Sequence, residues 1–275
     1  MKLCSLISGS GTGLGIVTPG GIADMAAAGC TLTLDDVIKG AAVPGLTGEE
    51  KLISPSDAVF GNICSPGKIP CVGLNYKKHA QETGGTPPAQ PVIFSKFNDC
   101  LSPAGGSIEL PPWLRCFDYE AELVAVIGRT AWNVTPQEAK ACVFGYTCGN
   151  DLSARDSQFI SNQWLIGKTF PGFGPCGPYV VTADEFDPDE PHSIVCTRNG
   201  VTVQSDDVSD MIFPVAETVS YISRYCRLEP GDLIFTGTPS GVVLGQPKGS
   251  RNWLKRGETL CVTIEGIGTL ENTLV

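Results

Sequence analysis

The chain holds only two histidines, no pair of cysteines in a CxxC arrangement, and no apolar run of membrane-spanning length. The missing CxxC spacing excludes zinc ribbons. The missing apolar run argues against a helical membrane span. Positive charge is also short: 19 Lys and Arg stand against 29 Asp and Glu, a net charge of −10. That balance speaks against nucleic acid or an anionic membrane as partner. An anionic small molecule stays open, provided local cations or a metal hold it.

Twelve cysteines are present, spread along the chain without paired spacing. A chain of 275 residues needs no disulfide staples, so reduced thiols used as small buried hydrophobes are expected. The N-terminal Met1-Lys2-Leu3-Cys4-Ser5-Leu6-Ile7 runs into glycines too soon for a secretory h-region. A cytoplasmic protein is expected. Apolar content of 42% and 17% charged residues describe an ordinary globular chain, and 33 Gly with 21 Pro favour a β-rich body over a helical bundle. No internal repeat or low-complexity tract is present.

Residues 1–66 read as a small N-terminal α+β domain and 67–275 as the main domain. In the first, 3–7 predicts a strand, the glycine run 8–13 a hairpin tip, and 15–17 the returning strand. Gly9-Ser10-Gly11-Thr12-Gly13-Leu14 fails the GxGxxG pattern at its last position and no helix pattern follows, which favours the hairpin tip over a phosphate loop. Short helices are predicted at 22–28 and 34–39, the second capped by Thr33 with Asp36 three residues on.

The stretch that organises the main domain is Phe117-Asp118-Tyr119-Glu120-Ala121-Glu122-Leu123-Val124-Ala125-Val126-Ile127-Gly128. It predicts a strand with Asp118, Glu120 and Glu122 on one face and Tyr119, Ala121, Leu123 and Ala125 on the other. The acidic face turns apolar at Val124 and Val126, so the strand enters a core. Like charges on one face near a core repel unless a cation sits between them, and oxygen-only ligands suit Mg²⁺, with Mn²⁺ or Ca²⁺ as alternatives. Solvated acids on an edge strand are the other reading.

Further segments bear on that choice. The strand 68–76 runs into a turn that sets His79 and Glu82 three residues apart, where a carboxylate can orient an imidazole as general base. A solvated helix face gives the same spacing, and the Gly/Pro stretch that follows would let the turn move as a lid. His192 lies in an acidic, Pro-broken loop and reads as solvated. Lys96 ends the strand 91–97 as a snorkelling lysine or a cleft cation. Thr135, Pro136 and Glu138 form a helix start with a capping box. Asp151, after the strand 143–148, is an N-cap or the third oxygen that Glu120 and Glu122 lack. Lys168, alone among apolar residues, suits an anion-binding role or snorkels. Residues 210–227 carry helical spacing, 233–235 and 259–264 predict strands, and the loop Thr236-Gly237-Thr238-Pro239-Ser240-Gly241 offers N–H groups that can hold a carboxylate.

These segments, in this order, resemble the fumarylacetoacetate hydrolase family, in its shorter acylpyruvate hydrolase and oxaloacetate decarboxylase branch. The resemblance rests on Gly67-Lys68-Ile69-Pro70-Cys71-Val72-Gly73-Leu74-Asn75-Tyr76 with His79 and Glu82, Asp118-Tyr119-Glu120-Ala121-Glu122-Leu123, and Gly149-Asn150-Asp151-Leu152-Ser153-Ala154-Arg155-Asp156. It rests also on Gly167-Lys168-Thr169-Phe170, Met211-Ile212-Phe213 and the run from Leu228 to Val242. Two features depart from the family pattern: Phe97 after Lys96 where a Pro is common, and the Gly/Pro-rich segment after Glu82. The resemblance implies an α+β, β-rich fold with a mixed β-sheet roll, and a homodimer or higher assembly. It implies Mg²⁺ or Mn²⁺ held by Glu120, Glu122 and Asp151, His79 and Glu82 activating water, and Lys168, Gln158 and Thr238 in the substrate site. The expected reaction is hydrolysis of a C–C bond in a β-diketo acid of the acylpyruvate type. Oxaloacetate decarboxylation or tautomerisation and sugar-acid dehydration are the alternatives, and a non-catalytic metal-binding scaffold is a third reading.

Overall fold

Alternation between two cores carries the central strand. Ala121–Ile127 is buried at all seven positions: Leu123, Ala125 and Ile127 enter one apolar core and Val124 and Val126 a second. A strand buried on both faces needs cover on both sides, and the computed structural model, which describes residues 1–9 and 11–275, shows what supplies it.

The large sheet runs, in spatial order, Leu52–Ile53, Gly21–Asp24, Gly11–Thr18, Lys2–Ser8, Gly174–Thr182, Val143–Asn150, Ala121–Ile127, Leu233–Phe235, Ile69–Gly73 and Val92–Lys96. It is mixed, because Leu233–Phe235 pairs parallel to Ile69–Gly73 while its other neighbour is antiparallel. A five-stranded sheet, in the order Val201–Asp207, Ser193–Arg198, Thr259–Ile264, Gly268–Leu274 and Ser107–Ile108, closes over one face. Ile194, Cys196, Val262 and Ile264 from this second sheet pack with Leu123, Ala125 and Tyr146, and the helix Val215–Ser223 adds Val219 and Ile222. On the opposite face the helix Leu34–Ile38 contributes Leu34, Val37 and Ile38 to the core that holds Val124 and Val126. The molecule is therefore the β-rich mixed roll that the family resemblance implied.

Capping chemistry read from sequence is in place. Thr33 and Asp36 close a capping box on Leu34–Ile38, and Thr135 and Glu138 close another on Pro136–Lys140 with Pro136 in the first turn. The helix expected at 22–28 does not form. Gly21–Asp24 instead pairs with Gly11–Thr18, and Asp24 Oδ1 accepts from Ala27 N in a turn. A seven-residue helix is marginal on its own, and a hairpin partner already in place wins. The helix expected over 210–227 spans Val215–Ser223, with Pro214 at its N-cap and a 3₁₀ turn at Val208–Asp210. The residues 1–66, expected as a unit of their own, contribute four strands to one end of the large sheet through the pairing of Lys2–Ser8 with Gly174–Thr182. Ser10, in the glycine run read as a hairpin tip, lies outside the described residues.

Candidate active site

Register brings the three acids together. Ala121 pairs with Asn150, so the residue that follows the strand Val143–Asn150 falls beside Glu120. Asp151 N donates to Glu120 O at 2.9 Å and Glu120 N donates to Asn150 Oδ1 at 2.9 Å, which locks the two strand ends. Ligand atoms of Glu120, Glu122 and Asp151 lie within 4.8 Å of one another, and all three residues are buried. The solvated-edge reading of these acids therefore does not hold.

Three buried cations attend the acids. Lys168 Nζ lies 2.6 Å from Glu120 Oε2 and 2.9 Å from Asp151 Oδ2. Lys96 Nζ lies 2.5 Å from Asp151 Oδ1 and also donates to the Lys168 carbonyl. Arg155 reaches Glu120 Oε1 with Nη2 at 2.6 Å, Asp118 Oδ2 with Nε at 2.9 Å and Gln158 Oε1 with Nη1 at 2.8 Å. The snorkelling readings of Lys96 and Lys168 are corrected by these contacts: both residues are 2% exposed. The anions that Lys168 holds are the protein's own.

Among the described residues Glu122 is the one acid of the three without an ion pair. Its Oε2 accepts from Gly237 N at 2.8 Å, so the glycine-rich loop does hold a carboxylate, an internal one. Burial, followed by the charges of Asp151 and Glu120, pushes the Glu122 carboxyl well above its ordinary range. Burial acts on Glu120 in the same sense, but Lys168, Arg155 and His79 outweigh it and hold Glu120 below the usual carboxylate range. For Lys96, burial lowers and Asp151 raises, and the balance lifts the ammonium to about 12. Counting Asp118, four carboxylates face three cations, and the deficit falls at Glu122. Oxygen donors at this spacing with one charge uncompensated fit a hard divalent cation.

The helix Lys77–Glu82 presents His79 to the same cavity, and its Nδ1 is 2.9 Å from Glu82 Oε1. Glu82 also accepts from Gly241 N at 2.9 and 3.1 Å. With Nδ1–H donated to this carboxylate, Nε2 is left as the proton acceptor. His79, Glu120, Glu122, Gln158, Lys168 and Thr238 face one cavity of about 260 Å³. Phe94 and Trp164 form its apolar wall and stack edge to face at 5.5 Å. Asp151 and Glu82 stand behind the lining, each against the residue it serves. Gln158 carries its Oε1 to Arg155, and Thr238 accepts from Gln204 Nε2 at 2.8 Å. All eight residues singled out from sequence thus lie in or directly behind one cavity. His192 does not: it stacks on Phe186 at 4.1 Å and its Nε2 lies 3.0 Å from Asp187 O, so it is a packed loop residue rather than a freely solvated one.

Sequence reasoning gave no role to Asp118, Arg155 or Asn75. Asp118 accepts from Val243 N and Leu244 N as well as from Arg155, fixing the guanidinium that holds Glu120. Its alternation with Glu120 and Glu122 was the available signal. Asn75 ties Phe213 and Thr236 together through three side-chain hydrogen bonds, and nothing local in the sequence marks it.

Gly245 offers a selective handle on the His79–Glu82 pair. A Cβ there would sit 2.6 Å from both Oε2 and Cδ of Glu82, and its three nearest neighbours are all atoms of that side chain. Gly245→Ala is expected to lower kcat by about 10²-fold, because displacing a catalytic group by about 1 Å costs that much. The denaturation midpoint should barely move. Steady-state kinetics beside an unfolding curve checks both.

Comparison with known proteins adds an independent finding. Residues 68–275 match the family described as fumarylacetoacetate (FAA) hydrolase C-terminal. A fumarylacetoacetate hydrolase domain-containing protein 2 homolog from Dictyostelium discoideum is 46% identical over 220 residues, 76% of this chain and 72% of that protein. A mitochondrial oxaloacetate tautomerase from Rattus norvegicus is 38% identical over 234 residues, 84% of this chain and 74% of that protein. Among solved structures, a fumarylacetoacetate hydrolase from Exiguobacterium antarcticum is 31% identical with a TM-score of 0.89, covering 100% of this chain and 99% of that one.

Proposed function

Since the chain belongs to the fumarylacetoacetate hydrolase family, we propose that it is a divalent-cation-dependent enzyme acting on a small 2-oxo acid, and that its reaction is the enol–keto interconversion of oxaloacetate. The observation that carries this reading is that the Glu82-oriented His79 lines the same cavity as Glu120 and Glu122, whose cluster Asp151 completes. Proton transfer next to a carbonyl needs a base at carbon and positive charge at oxygen, and one cavity has residues for both. The name of the rat relative points to the same substrate. About 260 Å³ suits a small acid better than a drug-sized ligand.

Glu120, Glu122 and Asp151 would hold Mg²⁺, with Mn²⁺ or Ca²⁺ as competitors. A divalent cation bound there supplies Lewis-acid stabilisation of an enolate oxygen. The chain's own residues do the rest. Glu82 keeps Nδ1 of His79 protonated, so Nε2 can take a proton from the enol hydroxyl or the C3 carbon and return it to the other. Lys168 and Arg155 fix the Glu120 carboxylate, and Phe94 with Trp164 limits water on the far wall. His79→Asn should bind divalent cation as the parent does and lose about 10²- to 10⁴-fold in kcat. Loss of cation binding in this variant would show that His79 does something other than proton transfer.

Hydrolysis of an acylpyruvate is the second reading, favoured by the same base, which can activate water, and by the Exiguobacterium relative's name. Incubation with enol oxaloacetate and with acetylpyruvate, each with Mg²⁺, Mn²⁺ or chelator, separates the two: only hydrolysis releases acetate. Turnover of neither substrate with cation still bound would support the scaffold reading. The proposed assembly is a homodimer, to be tested by sedimentation. Among the described residues no helix is long and apolar enough to cross a membrane. All twelve cysteines are free thiols, which suits a reducing compartment. We place the protein in the cytoplasm, and cell fractionation tests this against the mitochondrial location in the rat relative's name.

A further inference from the structure

On another part of the surface the charge balance of the protein is reversed. The segments 110–117 and 251–256 are zipped together by Leu254 N donating to Phe117 O at 3.0 Å and Arg256 Nη2 donating to Leu110 O at 2.7 Å. Between them lies a cleft of about 580 Å³ that shares no lining residue with the acidic cavity. Arg115, Arg251, Lys255 and Arg256 line it, and no acidic residue does among the described residues. In a chain of net charge −10 this is a local inversion.

The four cations have no ion-pair partner within 4 Å among the described residues. Two nearby carboxylates are already engaged. Asp156 accepts from the backbone N–H groups of Arg115 and Cys116, and Glu258 pairs with Arg198 and accepts from Lys255 N. Two of the guanidinium groups are held in place: Arg256 by the Leu110 carbonyl, and Arg251 by Gln246 O at 3.0 Å and the Trp253 ring at 5.7 Å. Anchoring lowers the entropy lost when an anion is clamped, and a guanidinium presents a fork suited to phosphate. Leu110, Pro111, Leu114 and Trp253 give the same cleft an apolar wall. Its volume is more than twice that of the acidic cavity and falls in the range that holds a nucleotide-sized molecule.

We propose that this cleft binds an organic polyphosphate, with several negative charges against the four cations and a flat heterocycle against the Trp253 and proline wall. The site is separate from the acidic cavity, so its occupancy can be read whatever reaction that cavity performs.

Isothermal calorimetry on the full-length protein, without divalent cation, tests the assignment with ATP, adenosine and inorganic tripolyphosphate as probes. ATP should bind with micromolar affinity that weakens as salt rises, and each half-molecule at least about tenfold more weakly. The double variant Arg251→Glu/Lys255→Glu should lose about 30-fold or more in ATP affinity while keeping parental turnover. Arg115→Glu, at an exposed position, gives a second reading if the double variant misfolds, and should weaken ATP at least about threefold. No heat up to millimolar ATP would overturn the proposal. So would unchanged affinity in the variants, or tripolyphosphate binding as tightly as ATP. Charge reversals that dissociate an oligomer without altering ATP binding would assign the cleft to contact between copies, and overturn it equally.

Discussion

Asp151→Ala should lose stability by about 3–5 kcal/mol and leave no measurable turnover. Lys96 and Lys168 are 2% exposed, and Asp151 takes an ammonium on each of its two oxygens. Removing it strips Lys96 of its one ion pair among the described residues, while Lys168 keeps Glu120. A buried ammonium that loses its counter-charge is far costlier than a lost surface pair, because desolvation is no longer offset. The substitution also takes one of the three oxygens from the cation cluster. Urea unfolding with and without Mg²⁺, beside an activity assay, checks the two consequences separately. A loss below about 1 kcal/mol would mean that water reaches the lysines. Lys96→Met tests the same pair from its other end: it should be milder, since Asp151 keeps Lys168 and a methionine fills the space, although a second carboxylate charge is then uncompensated.

Much of this pairing was legible in the sequence, and the reason differs from residue to residue. Glu120 and Glu122 declared themselves through period-two spacing in a run that turns apolar at Val124. His79 and Glu82 did so through a three-residue step on one turn. Both are local signals, and the structure keeps both. Asp151 was ambiguous because N-caps and ligands look alike in sequence, and only the register of Ala121 against Asn150 decides. Lys96 stayed open between a snorkelling lysine and a cleft cation because its partners, Asp151 and the Lys168 carbonyl, are 55 and 72 positions away. The strands Gly174–Thr182, Ser193–Arg198, Val201–Asp207 and Gly268–Leu274 drew no prediction. The first contains Gly174, Pro175, Gly177 and Pro178, which argue against a strand by propensity. It forms because it is held on both sides, by Lys2–Ser8 and by Val143–Asn150. Long-range pairing, rather than local preference, decides both the missed strands and the choice between the two readings of Lys96.

The companion substitution has the opposite sign. Glu122→Gln should make the metal-free protein more stable by about 1–3 kcal/mol while abolishing tight Mg²⁺ binding and turnover. Glu122 is buried, carries no ion pair among the described residues and faces Glu120 and Asp151, so its negative charge is a cost until a cation arrives. A glutamine keeps an acceptor oxygen for Gly237 N and removes the charge. The pH dependence follows from the same imbalance. Above the unfolded carboxylate value of about 4.3 and below the raised value of Glu122, the unfolded chain holds fewer protons than the folded one. The Glu122 contribution to metal-free stability therefore falls as pH rises through that window. Glu120, held down chiefly by Lys168 and Arg155 against its burial, contributes in the reverse sense: its share is present above about 4.3 and lost as pH falls through its lowered value. In chelator, Glu122→Gln should flatten the decline above about pH 4.3 and leave the acid limb in place. With Mg²⁺ the order reverses, because cation binding to the parent adds stability by mass action that the variant cannot draw on. Unfolding curves at several pH values, with chelator and with excess Mg²⁺, show whether the two proteins change rank. If they keep the same rank in both conditions, Glu122 is not where the missing positive charge belongs.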